Sequence, residues 1–450
     1  MVIKIPPQVN RALEILHTNG HSAYVVGGAV RDALMGKDPH DWDITTNALP
    51  EETLKAFADY RTIETGLKHG TVTVIVEGES LEITTYRIEK GYSDNRHPDS
   101  VEFTDKVEDD LSRRDFTVNA IAYSPSCGFA DPFGGQDDIK REFIRCVGDA
   151  DTRFGEDALR ILRALRFSAV LGFEIDKETS ESIHRNCHLL ENISVERIFV
   201  ELSKLLCGKD AGRILREYED VIFFILPELK PMKNCGQNHE RHIYDVWGHT
   251  VAAVENIEPI PELKFAMLLH DSGKPKCKTT DKNGVDHFYS HGKISKKIAH
   301  DVLTRLKTSA KFRNHVCNLV EYHDFLPDKI SKKTYKKYIG KLGTDIVKQL
   351  FSVRSADVRA QNPIFHAESL RENETGLKIL NEIENEAPCF GIKDLAVSGK
   401  ELEKAGIKPS PEMGKILETL LDEVMDDKIE NTTQALLERA GQLKKLQKGE

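Results

Sequence analysis

Residues 25–43 read VVGGAVRDALMGKDPHDWD, a run that few folds can accommodate. A short apolar strand (Tyr24, Val25, Val26) meets a Gly-Gly turn, and a helical stretch carrying Arg31 and Asp32 follows. Two aspartates, Asp41 and Asp43, then stand one residue apart. In extended backbone residues i and i+2 point to one face, so both carboxylates project together. Such a pair stays ionised beside a counter-charge, and a divalent cation supplies one. Mg2+ prefers one or two carboxylates plus phosphate oxygens to an all-protein cage. Gly27 and Gly28 let a ligand approach the backbone, and the amides opening the next helix favour phosphate. A bare D-x-D is most often an exposed turn. The glycines upstream and the strand start at Ile44-Thr45-Thr46 move the reading to a metal-dependent nucleotidyl-transfer site.

At 450 residues the chain exceeds a single core, and about two to four domains are expected. No apolar run approaches the roughly 18–20 residues of a membrane span, and the N-terminus lacks a signal-peptide pattern. The eight cysteines are scattered without a C-x-x-C pair, which speaks against a disulfide framework or zinc knuckle and for a reducing cytoplasm. With a formal net charge of −10, any RNA contact must rest on a local basic surface. Lys444, Lys445, Lys448 and the arginines around residue 160 are candidates.

Thr71–Val76 and Leu81–Tyr86 alternate as strands, joined by Glu77-Gly78-Glu79-Ser80, a hairpin signal. Glu82 on the second strand is either a third carboxylate near the metals or an outward surface residue. From Arg87 to Asp99 the chain is polar and turn-rich and reads as a mobile loop near the site. In EDDLSRRDFTVNAIAY, Arg113 and Arg114 offer guanidinium forks to a triphosphate, and Asp115 a carboxylate to a ribose hydroxyl.

GGAVRD, D-W-D, RRDFTVNA, DPFGG and EDALRILRALRF, in this order over residues 20–230, resemble the class II tRNA nucleotidyltransferases. These are the bacterial CCA-adding enzymes and the related poly(A) polymerases. The resemblance implies an α+β fold: a polymerase-β-like head with a mixed sheet and helices, followed by all-α neck, body and tail. The expected divisions are residues 1–150 for the head, 151–230 for the neck, 231–375 for an HD-type helical domain and 376–450 for the tail. It also implies that Asp41 and Asp43 are the catalytic Mg2+ ligands, and that Gly28, Arg31 and Arg114 contact the nucleotide.

Residues 156–167 read as one strong helix, with Asp157, Arg160 and Arg163 lining one side and Leu159, Ile161 and Leu162 facing the core. By spacing alone this is also a salt-bridge ladder. Cytosine and adenine each present an amino donor beside a ring-nitrogen acceptor; guanine and uracil present the reverse. Asp157 accepting and Arg160 donating fit C and A, and burying the mismatched groups of G or U costs a few kcal/mol. The resemblance assigns this template role to Asp157 and Arg160, and nucleotide contacts to Arg163 and Arg166.

The C-terminal half concentrates histidines. His-Asp occurs four times in the chain, but His270-Asp271 ends an apolar helix at Ser272-Gly273-Lys274-Pro275, which stops it. His249 lies on an earlier helix and Asp357 near the end of a later one. His249, His270-Asp271 and Asp357 in this order resemble the HD metal-dependent phosphohydrolases. Nitrogen and carboxylate donors suit transition metals such as Mn2+, Ni2+ or Zn2+. A two-metal centre would need further ligands, for which His291 and His323 are candidates. Core histidines satisfied by backbone remain the alternative. His300 reads as a surface or core residue, and His242, seven residues before His249 on the same helical face, has no assigned role.

The leading expectation is template-independent addition or repair of the tRNA 3′ CCA from CTP and ATP, with tRNA held at its 3′ end and acceptor stem. Partial CC- or A-adding enzymes and poly(A) polymerases share the head motifs; presence of the 87–102 loop favours full addition. From other classes come an HD phosphohydrolase with an RNA-anchoring head and an RNA chaperone without chemistry; the intact Asp41/Asp43 pair argues against both, since an anchor needs no metal ligands. Neither a membrane nor DNA is an expected partner.

Overall fold

The computed structural model describes residues 3–39, 41–64, 66–67, 70–91, 99–325, 331–385, 391–426 and 428–448. Two compact units emerge, Met1–Pro227 and Glu228–Glu450.

The first unit is organised by strands β1 (Ala23–Val26), β2 (Asp43–Thr46), β3 (Arg61–Ile63), β4 (Thr71–Val76), β5 (Glu79–Thr85), β6 (Arg87–Lys90), β7 (Ser100–Phe103), β8 (Ala122–Ser124) and β9 (Gly128–Ala130). Seven of these form one mixed sheet in the order β3-β4-β5-β2-β1-β8-β9, in which β2 and β5 run parallel. Alternation sets its core face: Val72, Val74 and Val76 are fully buried, while Thr71, Thr73 and Ile75 between them are half-buried. Each such valine contributes about 1.5–3 kcal/mol of transfer free energy. The β4–β5 turn is tighter than the sequence suggests. Glu77 (φ 52°) and Gly78 (φ 90°) alone make it, as a two-residue hairpin turn requires, and Glu79 and Ser80 already pair with Val76 and Ile75.

The stretch read as a mobile loop is corrected at both ends. β6 and β7 pair from Arg87↔Phe103 to Lys90↔Ser100, because the charges answer one another: Glu89 meets Arg87 at 2.8 Å and Arg113 at 3.1 Å. The centre of that stretch, residues 92–98, lies outside the described residues, as does His40.

The expected helix over 156–167 is also corrected. One helix spans Ala150–Glu156 and the next Leu159–Leu171. Asp157 sits between them with φ −140° and ψ 102°, and its Oδ1 accepts the Leu159 amide at 3.1 Å. A short carboxylate bonding backbone two residues on competes with helix continuation and starts the next one instead. Ile161, Leu162 and Leu165 are fully buried, and helix Val195–Leu206 packs against the helix that carries them.

The second unit is predominantly helical. Helix Val246–Glu255 carries His249, and helix Pro261–Leu269 ends on His270. Asp357 lies in the last turn of Thr344–Arg359. A Cβ on Gly273 would sit 2.6 Å from the His291 carbonyl, so only glycine lets helix His291–Arg305 close on the His-Asp turn. His242 is not on the His249 helix, which begins only at Val246 with Asp245 capping the Gly248 amide at 2.7 Å. Farther on, Leu402, Leu420, Leu436 and Ala440 anchor a separate apolar cluster between helices Gly399–Lys404, Pro411–Met425 and Thr433–Lys448.

Candidate functional site

Register assembles the head site. The β1–β2 pairing sets Val26 opposite Asp43, which brings the Gly-Gly turn to the D-x-D end. The parallel pairing of Ile44 with Ile83 places Glu82 beside Asp43. Asp41, Asp43 and Glu82 line one cavity of about 600 Å³. Burial pushes the Asp43 carboxyl up; Arg114 opposes this, and Glu82 and Asp41 add to it. Converging carboxylates are stabilised by a cation between them, and an all-oxygen donor set fits Mg2+.

Arg114 supplies the positive side. Gly27 has φ +79°, and a Cβ there would come within 3.0 Å of Arg114 Nη1. Arg114 Nη2 stands 3.6 Å from Asp110 Oδ2, while its buried Nε has no hydrogen-bond partner. Fully buried Asp110 is taken more closely by Arg113 Nη2 at 2.7 Å. Arg114 therefore keeps donor capacity for a phosphate. Arg31 donates from Nη1 to Asn119 at 2.6 Å and from Nε to Asp32 at 2.9 Å. Gly28 opens its helix with open space to 3.7 Å, where Arg31 Nη2 begins.

Asp115 is turned inward and does not present its carboxylate to a ribose. Its Oδ2 accepts Arg163 Nε at 2.8 Å and Nη2 at 2.6 Å. Oδ1 accepts the Phe116 amide at 2.8 Å and Asn119 Nδ2 at 3.2 Å. Burial pushes this carboxyl up, yet Arg163, Asn119 and Arg160 hold it below the usual range. A continuous polar chain results, Arg31–Asn119–Asp115–Arg163.

Asp157, Arg160, Arg163 and Arg166 do not form one helical stripe. Asp157 lies outside the helix that carries Arg160, Arg163 and Arg166, and its Oδ2 binds Arg197 at 2.9 Å. Arg160 binds Glu156 at 2.6 Å and the Arg113 carbonyl at 3.0 Å. Arg166 binds buried Glu201 at 2.6 Å. The Phe167 ring receives three guanidiniums, from Arg166 at 3.8 Å, Arg31 at 5.1 Å and Arg163 at 5.4 Å, each worth about 0.5–1 kcal/mol where solvent reaches. Sequence reasoning missed Asp110, Asn119, Phe167, Arg197 and Glu201. Asp110 carried a signal, standing three and four residues before Arg113 and Arg114 on a short helix; the long-range partners carried none.

The second unit gathers His249, His270, Asp271 and Asp357, all buried. His249 Nε2 lies 2.9 Å from Asp357 Oδ1, 3.3 Å from His270 Nε2 and 3.5 Å from Asp271 Oδ2. His291 and His323 join from the other side, 3.4 and 3.6 Å from Asp271 Oδ1. Burial alone would raise the Asp271 and Asp357 carboxyls. The facing imidazoles, with Lys274 at Asp271 and Arg354 at Asp357, hold both well below the usual range. His242, off the helix, still packs its ring 5.4 Å from that of His249, and burial with nearby Lys274 pushes it down to about 3. His300 is exposed on its helix beside Asp301.

Comparison with known proteins places these features. Residues 23–145 match the poly(A) polymerase head domain, 172–232 a probable RNA- and SrmB-binding site of polymerase A, and 286–440 a putative tRNA nucleotidyltransferase domain 2. A CCA-adding enzyme of Ligilactobacillus salivarius is 34% identical over 449 residues, 98% of each chain. One from Geobacillus thermodenitrificans is 49% identical over 212 residues, 46% of this chain and 52% of its own. The Bacillus stearothermophilus CCA-adding enzyme in complex with CTP superposes with a TM-score of 0.72 at 28% identity, over 99% of this chain and 100% of that one. The Thermotoga maritima enzyme complexed with tRNA shares the fold, with a TM-score of 0.58 at 21% identity, over 98% and 100%. The chain is a nucleotidyltransferase and belongs to the CCA-adding enzyme family.

Proposed function

We propose that the chain builds or repairs the 3′-terminal CCA of tRNA from CTP and ATP. The observation that carries this is the convergence of Asp41, Asp43 and Glu82 on one cavity, with the Arg114 guanidinium near enough to Asp43 to oppose the rise of its carboxyl pKa and its buried Nε uncommitted. In this reading the tRNA 3′ hydroxyl attacks the α-phosphorus; an O–P bond forms, the bond to the β-phosphate oxygen breaks, and pyrophosphate leaves. Asp41 and Asp43 would hold Mg2+, which supplies Lewis-acid stabilisation of the alkoxide and the leaving pyrophosphate. Gly28 admits the nucleotide, and Arg31 and Arg114 orient the phosphates. Asp157 and Arg160 read the base, exchanging Arg197 and Glu156 for its edge, while Arg163 and Arg166 frame it. The head, neck, body and tail divisions expected from the sequence, and a cytoplasmic setting where tRNA and both nucleotides occur, belong to this proposal.

The test supplies tRNA transcripts lacking CCA, CA or A with labelled CTP and ATP. Sequential C, C, A addition is expected. A-only or C-only products select a partial enzyme, long A tails a poly(A) polymerase, and no incorporation overturns the reading. Asp43→Ala should abolish addition of both nucleotides and leave tRNA affinity largely intact.

The second unit supports an additional reading, in which His249, His270, Asp271 and Asp357 bind a transition metal such as Mn2+ or Ni2+ and serve a phosphohydrolase. Its support is the mixed nitrogen and carboxylate donor set, fully buried around one point. Elemental analysis of the purified chain tests it: His249→Gln should lower bound metal.

A further inference from the structure

We infer that the groove between helices His291–Arg305 and Ala310–Tyr322 is an RNA-backbone surface that grips a stretch of the substrate RNA away from its 3′ end. This rests on the tRNA reading just given and adds a second place where that RNA is held. The groove, a cavity of about 460 Å³, is lined by Lys293, Lys296, Lys297 and His300 from the first helix and by Asn314, Cys317 and Asn318 from the second. None of these residues lines the cavity at the His/Asp cluster. Lys293, Lys297 and His300 recur at i, i+4 and i+7, and Asn314 and Asn318 at i and i+4, so each set lies on one helical face. Four residues advance about 6 Å along a helix, and the lysines therefore make a row of charge instead of a point.

Much of that charge is uncommitted. Lys296 is held by Glu321 at 2.7 Å, and His300 stands 3.6 Å from Asp301. Lys293 and Lys297 are exposed and form no ion pair among the described residues. The Asn314 and Asn318 amides across the groove make no side-chain hydrogen bond among those residues either. On a chain of net charge −10, bare lysines facing bare amides concentrate a local positive potential that draws a polyanion.

The lining chooses among polyanions. An acidic protein or a membrane surface would be anchored by apolar side chains beside the lysines. Among the described residues, no exposed large apolar side chain lies on either helix. Lysines meet phosphodiester oxygens as point charges. An asparagine amide both donates and accepts, which matches a ribose 2′-hydroxyl, the group by which a protein tells RNA from DNA.

The test follows the affinity of the full-length chain for a tRNA transcript lacking CCA by fluorescence anisotropy as salt is raised. Each phosphate contact adds about 0.7–0.9 to the slope of log affinity on log salt. Lys293→Gln with Lys297→Gln should therefore flatten that slope by about 1.4–1.8, and the affinity lost between about 50 and 200 mM salt should shrink about tenfold. Lys293→Arg with Lys297→Arg should keep the parent's slope, which separates charge from any effect on folding. In the addition assay the glutamine variant should show a raised KM for tRNA with KM for CTP unchanged. Asn314→Ala with Asn318→Ala should narrow the gap in affinity between the transcript and its 2′-deoxy counterpart. An unchanged slope in the glutamine variant overturns the surface, and an unchanged RNA–DNA gap in the alanine variant overturns the reading of the 2′-hydroxyl. Binding of poly-glutamate that the glutamine variant loses, with RNA affinity unaltered, overturns RNA as the occupant. A parent that adds no nucleotide, yet whose tRNA slope still depends on both lysines, overturns the CCA reading and spares this one.

Discussion

Asp115→Asn isolates the carboxylate that joins the two halves of the proposed nucleotide site, bonding Asn119 on one side and Arg163 on the other. Asparagine keeps the volume and an acceptor for the Phe116 amide and Asn119, but it removes the charge that takes two bonds from Arg163 at 2.8 and 2.6 Å. Removing one partner of a buried pair costs about 3–5 kcal/mol, because the other charge is left unmatched. Here the Asp115 side chain is 9% exposed and that of Arg163 34%, so water recovers part of the loss and about 2–3 kcal/mol is expected. The two tryptophans make the assay specific: Trp42 lies in the first unit and Trp247 in the second. In a Trp247→Phe background, fluorescence follows the first unit alone. With a urea m-value of about 1–3 kcal/mol/M, the midpoint should fall by about 1–2 M. The KM values for CTP and ATP should both rise, since Arg163 loses its anchor and Arg31 is held through Asn119. The carboxyl titrates lower in the fold than in the unfolded chain. Its contribution is thus complete above the unfolded carboxylate pKa of about 3.9 and is lost as pH falls through the folded value, a loss the asparagine variant lacks. A midpoint within about 0.2 M of the parent, with unchanged KM values, would refute the reasoning.

Gly27→Ala places a methyl 3.0 Å from Arg114 Nη1 at φ +79°; about 1–2 kcal/mol of stability should go and triphosphate affinity should weaken, by nucleotide titration. Asp157→Ala should relax C and A selection against UTP and GTP in competition assays before tRNA affinity changes; selection equal to the parent's would exclude Asp157 from base reading. Asp286, held by Lys278 and the Asn238 amide at 2.8 Å each and by Thr280 at 2.7 Å, has its carboxyl drawn down to about 2, chiefly by Lys278. The second unit should therefore lose stability as pH falls from about 4 toward that value. Asp286→Asn should flatten this stretch of an acid-unfolding curve followed by Trp247 fluorescence.

Local chemistry announced much of this molecule. β1, the glycine turn and the start of β2 follow from apolar runs and punctuation. The β4–β5 hairpin follows from alternation, and the helix end at His270 from the Ser-Gly-Lys-Pro stop. The errors have a common source. The helix through Asp157 looked continuous because helical periodicity does not register a carboxylate that captures the amide two residues on. The 87–102 stretch looked unpaired because its charges were counted without partners, and Arg113, which neutralises Glu89, is more than twenty residues away in sequence. His242 shares the helical spacing of His249 but precedes the Asp245 cap that starts the helix.

By itself the sequence determined which chemistries are present: a D-x-D pair beside a glycine turn, forked arginines, and His, His-Asp and Asp in order. These are short-range patterns, fixed by backbone geometry within a turn or strand. Tertiary structure decided which groups are committed and which are left to act. Sheet register set Glu82 beside Asp43, inward rotation gave Asp115 to Arg163, and helix Val195–Leu206 supplied Arg197 to Asp157 and Glu201 to Arg166. Helix closure over Gly273 brought His291 and His323 to the far oxygen of Asp271. A charge's partner is chosen by distance in space, which residue spacing along the chain does not encode.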